Sequence, residues 1–588
     1  MQSETRRVPL PPRSEYRFEL DAGEAISVRF VSDPVSGHYG DAEVFGAPLI
    51  GGAQERWYTF GNEAKAAISS WGGGEVEIAG SASTEYMADE PSPVYTYGAN
   101  LHLNLERARI RAREQLRTDK ALVKSLSEQD VRGEGAPPSY EDGQGPSSNE
   151  LYHAAGQGPR VMIVGPESAG KTSLVKFLAN YAMRSPALAS VEEGAEAERV
   201  AQEAQDDEPL SDHEDAPEEK ADKAKIMSEI TGWWPMIIGL DPSEGAVPVP
   251  GCLCAIPLRP SPVNCLPSPS PALPYGVTPQ TTGALPPTVS TAESVMPLVH
   301  WLGKHNVREN EQHTHRVIDW LAYHVEKRLV KDTRARMSGL LLDMPGVVTA
   351  DSRNRYSYIQ YCARAFKVDM IVVLGHEKLN LELSKIFGQS PVQIVKVPKS
   401  GGAVDVDEVY KQKLQDLQIR SYFYGMQPAI PKVAGEGEHA SEALPGHAEP
   451  LGGVPTLNPY SSTIPLDLLS IYRVGQDRIA PSSALPIGAE RVVSELQVNK
   501  LDPLNSSSDL SSLLHSVIAL IELPSDAEEL GEGELPSEAT LLSAGLVGLL
   551  HVSDIDTTRK KMTVLSPKPG KLPSKTALIG VRMIKSNY

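Results

Sequence analysis

Between residues 14 and 107 apolar and polar positions alternate in short bursts. "YRFELDAGEAISVRFV", "DAEVFGAPL", "RWYTFGNEAKAAISSW" and "GEVEIAG" are separated by Gly-containing turns, the signature of half-buried strands, and predict a β-sandwich. The period then changes. "LHLNLERARIRAREQLRTDKALVKSLSEQ" reads as a charged helix and "GEGAPPSYEDGQGPSSNE" as a linker. Val161 to Val164 form a β-branched, apolar run, and after a Gly-rich loop Leu174, Phe177, Leu178 and Tyr181 recur at helical spacing. "MIIGLDP", "VDMIVVLG" and "VQIVKVPKSGG" read as further buried strands, and amphipathic helices over 310–332 and 352–366 flank "GLLLDMPG". This alternation predicts an α/β, doubly wound central domain.

Two stretches interrupt that domain. Residues of about 187–225 are acidic and poor in large apolar side chains, so they cannot bury enough surface to offset their ordering entropy and are expected to be a disordered insertion. "SPSPALPYGVTPQTTGALPPT" is Pro/Thr-rich and expected to be irregular. Beyond "RSYFYG", the run "GEGEHASEALPGHAEPLGG" is linker-like, and "GLVGLLHVSDIDTTRKKMTVLSPKPGKLPSKTALIGVRMI" suits a small β-rich domain. The expected organisation is an N-terminal β domain over 1–107, a central domain over 108–420 and a C-terminal domain over 421–588.

Composition narrows the class. A hydrophobic content of 40% with 22% charged residues fits a soluble globular protein. No run approaches the roughly 20 apolar residues of a membrane span, and the first residues lack the apolar core of a secretory signal. Cys252, Cys254, Cys265 and Cys362 make neither a disulfide framework nor paired zinc-ligand spacing, which points to the cytosol or nucleus. A net charge of −20 argues against a dedicated nucleic-acid binder. The basic run "EKRLVKDTRAR" at 326–336 reads as the solvated face of a helix.

The candidate chemistry lies in Gly165, Pro166, Glu167, Ser168, Ala169, Gly170, Lys171 and Thr172, which fit G-x-x-x-x-G-K-[ST] between a strand and a helix. Backbone N–H groups of such a loop and of the helix start point at phosphates, and the helix dipole favours negative charge there. Lys171 would neutralise β- and γ-phosphate charge and the Thr172 hydroxyl would ligate Mg²⁺. Asp241 and Asp343 end predicted strands, and either could meet the metal. "DMPG" with "NKLD" at 499–502 also fits a GTPase, but the latter follows a mixed, charged segment beyond a long linker rather than a buried strand of the same domain.

Together these pieces resemble the polynucleotide 5′-hydroxyl kinase-like family, in particular the Clp subunit of the pre-mRNA cleavage and polyadenylation factor. The resemblance rests on "YRFELDAGE", "AEVFGAPL", "GPRVMIVGPESAGKTSLVKFLANYA", "GLDPSEGAVPVPGCLCAIPL", "VPKSGGAVDVDEVYKQKLQDLQIRSYFYG" and "VLSPKPGKLPSKTALI". It implies ATP with Mg as cofactors. It places Glu15 and Lys65 at the adenine end and Ser168, Ala169, Gly170, Lys171, Thr172 and Ser173 at the phosphates. Thr172 and Asp241 are then metal candidates, Asp241 holding the position of the acid that activates the acceptor hydroxyl. Active relatives carry T-x-G-W where this chain has Asp343, Met344, Pro345 and Gly346, and lid arginines where it has Val406 and Lys411. A bidentate arginine clamp is poorly replaced by one lysine. The resemblance to the fungal branch therefore implies a nuclear, ATP-bound scaffold of 3′-end processing rather than an enzyme. Its implied partners are the large cleavage-factor subunit that binds the RNA polymerase II C-terminal tail and other processing factors, with RNA met indirectly and no membrane. An active RNA 5′-hydroxyl kinase and a GTPase are the alternatives.

Overall fold

The computed structural model describes residues 5–21, 24–31, 40–49, 58–60, 64–88, 93–118, 156–185, 232–243, 249–258, 297–424, 426–427, 454–455, 458–476, 497–504, 506–523 and 536–579. The acidic segment 187–225, the Pro/Thr-rich stretch, Cys265 and both predicted linkers lie outside them.

The N-terminal part is the expected sandwich. One sheet orders Thr5–Leu10, Gly74–Gly80, Ile26–Val31 and Tyr58–Phe60; the other orders Ala47–Pro48, Glu43–Val44, Lys65–Ser70, Ser14–Glu19 and Thr84–Met87. Alternate residues of both sheets (Phe18, Val28, Phe30, Ile68, Val76 and Ile78 among them) meet in a separate core, as period-two strands with one buried face require.

In the central sheet the spatial order is Leu298–Trp301, Cys252–Pro257, Met236–Gly239, Leu340–Asp343, Arg160–Val164, Met370–Leu374 and Gln393–Val397. The last five are parallel, while the first two form an antiparallel extension on one edge. Arg160–Val164 is buried at every position, as expected of a parallel strand covered on both faces. Cys252, Cys254 and Cys362 are buried and form no disulfide. The helix expected over 352–366 is broken: Thr349–Arg353 and Ser357–Ala365 are separate, because Arg355 (φ 52°) and Tyr356 (φ 56°) turn left-handed between them. Neither is Gly, so nothing in the sequence marks the break.

At the C-terminal end a seven-stranded sheet orders Tyr460–Pro465, Lys561–Ser566, Leu546–Asp556, Val517–Ile521, Thr576–Ile579, Ser470–Gln476 and Gln497–Lys500. Tyr472, Val517, Ala519, Leu549 and Leu578 on one face join the central core, and Ile471, Ile518, Leu520, Leu550 and Val552 on the other build their own cluster. The join is also polar. His300 Nδ1 lies 3.1 Å from the Leu542 carbonyl and His300 Nε2 lies 3.0 Å from His324 Nδ1, with the two rings stacked. The helix Pro93–Thr118 crosses position 107 and the helix Glu408–Tyr424 crosses 420, so both expected domain boundaries fall inside helices.

Candidate nucleotide site

The glycine loop leaves the carboxyl end of Arg160–Val164 and enters the helix Lys171–Arg184. Gly170 takes φ 88°, a left-handed conformation that glycine adopts without a Cβ penalty. As N-cap it supplies no side chain to the helix N–H groups, and the first turn carries no acidic residue. The N–H groups of the first turn are thus left for an anion, with the dipole behind them. Lys171 Nζ donates to the Pro166 carbonyl at 2.9 Å.

Beneath the loop the strand order decides which acid meets Thr172. Leu340–Asp343 is the direct parallel neighbour of Arg160–Val164, with Met236–Gly239 one strand further out. The Thr172 hydroxyl donates to Asp343 Oδ2 at 2.7 Å, and Asp343 Oδ1 is buried with no hydrogen-bond partner among the described residues. Burial pushes this carboxyl up to about 6, with Thr172 and Lys171 opposing the rise and Asp241 adding to it. Asp241, named as metal candidate from the sequence, is near enough to act on Asp343 but folds its Oδ1 onto Ser243 N (2.9 Å) and Oγ (2.6 Å). Lys176, one turn along the helix, is buried and driven down to about 8, the Asp343 charge opposing the fall. An orphaned carboxylate oxygen beside a P-loop threonine is the donor set a hard divalent ion needs, most of its remaining ligands being waters and phosphate oxygens. No cluster of three or more His, Cys, Asp or Glu fit for a metal occurs among the described residues.

The loop after Asp343 is welded to the P-loop. Val347 N donates to the Gly165 carbonyl at 2.9 Å, and Pro166 bridges Val347. At Gly346 a Cβ would run into Glu167 Cγ and lie 3.0 Å from its Cα and N. Arg308 grips Asp351 bidentately (2.7 and 2.6 Å) and donates to the Gly346 carbonyl at 2.8 Å. Against the lowering effect of burial, Asp351 holds Arg308 above its ordinary pKa, with Tyr358 and Asp241 contributing less. Arg308 lies in "NVREN", and sequence reasoning missed it because a loop arginine gives no periodic signal.

The lid segment closes over this floor. Val406 N donates to Ser168 Oγ at 3.1 Å, and Lys411 Nζ pairs with Glu167 at 2.7 Å. That pairing holds the Glu167 carboxyl below its usual range. From the N-terminal domain, Arg17 binds Glu15 (2.8 and 2.6 Å) and covers Gly402, where a Cβ would sit 2.8 Å from its Nε. Lys65 pairs with Glu19 and stands 5.4 Å from the Tyr410 ring centre on the lid helix. Glu15 and Lys65 therefore face the lid from one pair of strands, while Arg17, two residues from Glu15 on the same strand face, is a contact that the sequence reading overlooked. Ala169 is buried in the loop and Ser173 lies in the first helical turn. Asn499 and Lys500 of "NKLD" lie on the edge strand of the C-terminal sheet, not in the P-loop sheet, so they do not form the guanine reader of a P-loop GTPase.

Fold and site together define a P-loop protein whose loop is roofed by a β-sandwich and a lid. More narrowly, the chain belongs to the Clp1 family of mRNA cleavage and polyadenylation factors. The family model for the N-terminal beta-sandwich domain of polyadenylation factor matches residues 9–112, that for the mRNA cleavage and polyadenylation factor CLP1 P-loop matches 228–425, and that for pre-mRNA cleavage complex II protein Clp1 matches 457–582. The mRNA cleavage and polyadenylation factor CLP1 of Malassezia globosa is 65% identical, over 96% of this chain and 93% of that protein. Its namesake from Mycosarcoma maydis is 53% identical over 98% of each. Among solved structures, a Clp1p–Pcf11p complex matches with a TM-score of 0.60 at 21% identity, covering 99% of both chains, a likeness of fold. No helix among the described residues is long and apolar enough to cross a membrane.

Proposed function

We propose that this chain is a nuclear, non-catalytic scaffold of the mRNA 3′-end cleavage and polyadenylation machinery that holds ATP with Mg²⁺ without turning it over. The carrying observation is the closed floor of the site: the Thr172–Asp343 pair is in place, but position 346 is a glycine pressed against Glu167. No aromatic side chain can enter there to clasp an RNA end. Bound Mg²⁺ would neutralise phosphate charge. Lys171 and the loop N–H groups bind the phosphates, and Thr172 with Asp343 holds the metal, Asp241 standing beside them. Ser168, Ala169, Gly170 and Ser173 complete the phosphate cradle, and Glu15 with Lys65 closes the adenine end. In the lid, Val406 brings only a backbone N–H to the loop, and Lys411 is engaged by Glu167. A transition-state cation is therefore missing where phosphoryl transfer needs one, a loss that commonly costs about 10³-fold or more in rate.

A partner of the kind in the related Clp1p–Pcf11p complex, the large cleavage-factor subunit, fits this reading. A second solved relative is described with ATP loss in a glycine-to-arginine point mutant, which supports a nucleotide held as a structural ligand. The test is to extract the nucleotide from purified protein and assay transfer to 5′-hydroxyl RNA. Intact ATP with no RNA phosphorylation is expected; robust phosphorylation would overturn the proposal in favour of an active kinase.

A further inference from the structure

One short piece of chain, the lid turn 400–403, touches both the glycine loop and the sandwich. Toward the loop, the Ala403 Cβ is 3.7 Å from the place a Cβ would take on Gly170, and Val406, three residues on, donates to Ser168. Toward the sandwich, the turn meets Arg17 of the strand Ser14–Glu19. A Cβ on Gly402 would stand 2.8 Å from Arg17 Nε, 3.1 Å from its Cδ and 3.2 Å from its Cζ, and one on Gly401 would stand 3.4 Å from its Nη1.

The arginine is held in place from its own domain. Its Nε and Nη2 both donate to the buried Glu15 (2.8 and 2.6 Å), a charge-assisted pair. Across the sheet it is flanked by Ala67 on one neighbouring strand and Tyr86 on the other, its guanidinium carbon 5.9 Å from the Tyr86 ring centre. The lid turn has much less of its own. Ala403 N donates to the Ser400 carbonyl and Gly402 N to Ser400 Oγ, both at 3.1 Å, but two successive glycines lose more freedom on ordering than any other pair. Neither Gly401 nor Gly402 takes a positive φ, so backbone conformation does not call for glycine there. At 402 it is Arg17 that leaves no room for a side chain.

We propose that Arg17 is a positioning residue of the nucleotide site: its fixed guanidinium is the seat against which the lid glycines pack, and it keeps the lid over the loop so that bound ATP leaves slowly. This rests on the reading of the site as an ATP holder. Arg17 acts through the lid. Where a lid covers a ligand, its opening sets the release rate, and a turn of two glycines without its seat opens more often.

The experiment loads full-length protein with radiolabelled ATP and Mg²⁺, chases with excess unlabelled ATP and follows the label retained. Arg17→Ala should release ATP about tenfold faster. Gly402→Ala should also speed release, because its Cβ and the guanidinium cannot share one place. The two effects should not add: in the Arg17→Ala background the new Cβ has room, and Gly402→Ala should change release less than about twofold. Equal acceleration by Gly402→Ala in both backgrounds overturns the proposal, since the effect would then be local to the lid. A lower melting temperature of nucleotide-free Arg17→Ala with release as slow as wild type's would make Arg17 a structural residue only and overturns it too. Should Arg17→Ala fail to fold, wild-type release from Gly402→Ala overturns it alone. Wild-type protein that takes up no ATP overturns the reading of the site, and the proposal with it.

Discussion

The two ends of the helix Lys171–Arg184 are built on opposite plans. At its amino end Gly170 offers no side-chain cap, and the nearby Asp343 oxygen has no hydrogen-bond partner among the described residues. At its carboxyl end polar groups are matched across the domain boundary. Glu43 of the sandwich accepts from Tyr181 OH (2.6 Å) and Trp71 Nε1 (3.1 Å) and pairs with Arg184, while Asn180 donates to the Phe45 carbonyl at 2.8 Å. Rings reinforce it: Phe177 stacks on Tyr181 at 4.1 Å and meets Tyr95 edge-on at 4.9 Å. The lesson is a division of labour within one helix. An under-satisfied end can wait for a ligand because the other end is bonded to the N-terminal domain through Glu43 and Phe45, so ligand and domain position are read by the same fourteen residues.

Emptying the open end should have the largest effect. Lys171→Ala with Thr172→Ala should strip nucleotide from the purified protein completely, measured by chromatography of the released nucleotide. It should also remove a ligand stabilisation of about 4 kcal/mol at a thousandfold excess over Kd, visible as a lower melting temperature. Retained ATP in that variant would mean the loop is not the phosphate grip. Breaking the closed end comes next. Glu43→Ala leaves the Tyr181 hydroxyl without its acceptor and Arg184 without its counter-charge, Trp71 Nε1 keeping only the Tyr181 oxygen at 2.7 Å, and should cost about 3 kcal/mol in urea unfolding. If the helix couples its two ends, nucleotide retention should fall as well; ATP content equal to wild type would show that they act independently.

A third measurement uses acid. Burial lowers His300 to about 3, the neighbouring His324 also opposing its charge, and His324 is itself lowered by burial. Both bind protons less readily folded than unfolded, where the ordinary value is 6.5. The stability they contribute is therefore full above pH 6.5 and is lost as pH falls toward 3. Each such proton is worth about 1.4 kcal/mol per pH unit. His300→Gln should flatten the fall in stability between pH 6 and 4 by about one proton's share; an unchanged slope would place the sensitivity elsewhere. The smallest effect is expected at Asn499, exposed on the C-terminal edge strand: Asn499→Ala should leave the identity and amount of bound nucleotide unchanged, and any loss would revive guanine recognition.

Much of the grip was legible in the chain, because a strand, a glycine loop and an amphipathic helix occur in immediate succession from Arg160 to Tyr181. The acid beneath it was not. Asp241 and Asp343 both end apolar runs, and only the lateral order of strands, set by packing between distant segments, puts Asp343 against Thr172. Arg17 was within reach of pattern reasoning, since residues two apart on a strand share a face. The antiparallel extension at Cys252–Pro257 and Leu298–Trp301 was obscured by the long stretch between its two strands. Lys327 and Arg334 line one pocket, and that was hidden for another reason: periodicity describes one helix at a time, and the two residues lie on the separate helices Glu311–Lys331 and Thr333–Ser338.

The closeness of Gly346 to Glu167 bears on history. Restoring the tryptophan of the T-x-G-W clasp would mean substituting position 346, where even a Cβ meets Glu167. The reversal cannot start there. It requires an earlier change at 167, which in turn would release Lys411 from its carboxylate partner. Positions 346 and 167 are therefore coupled, and a path back has to change both.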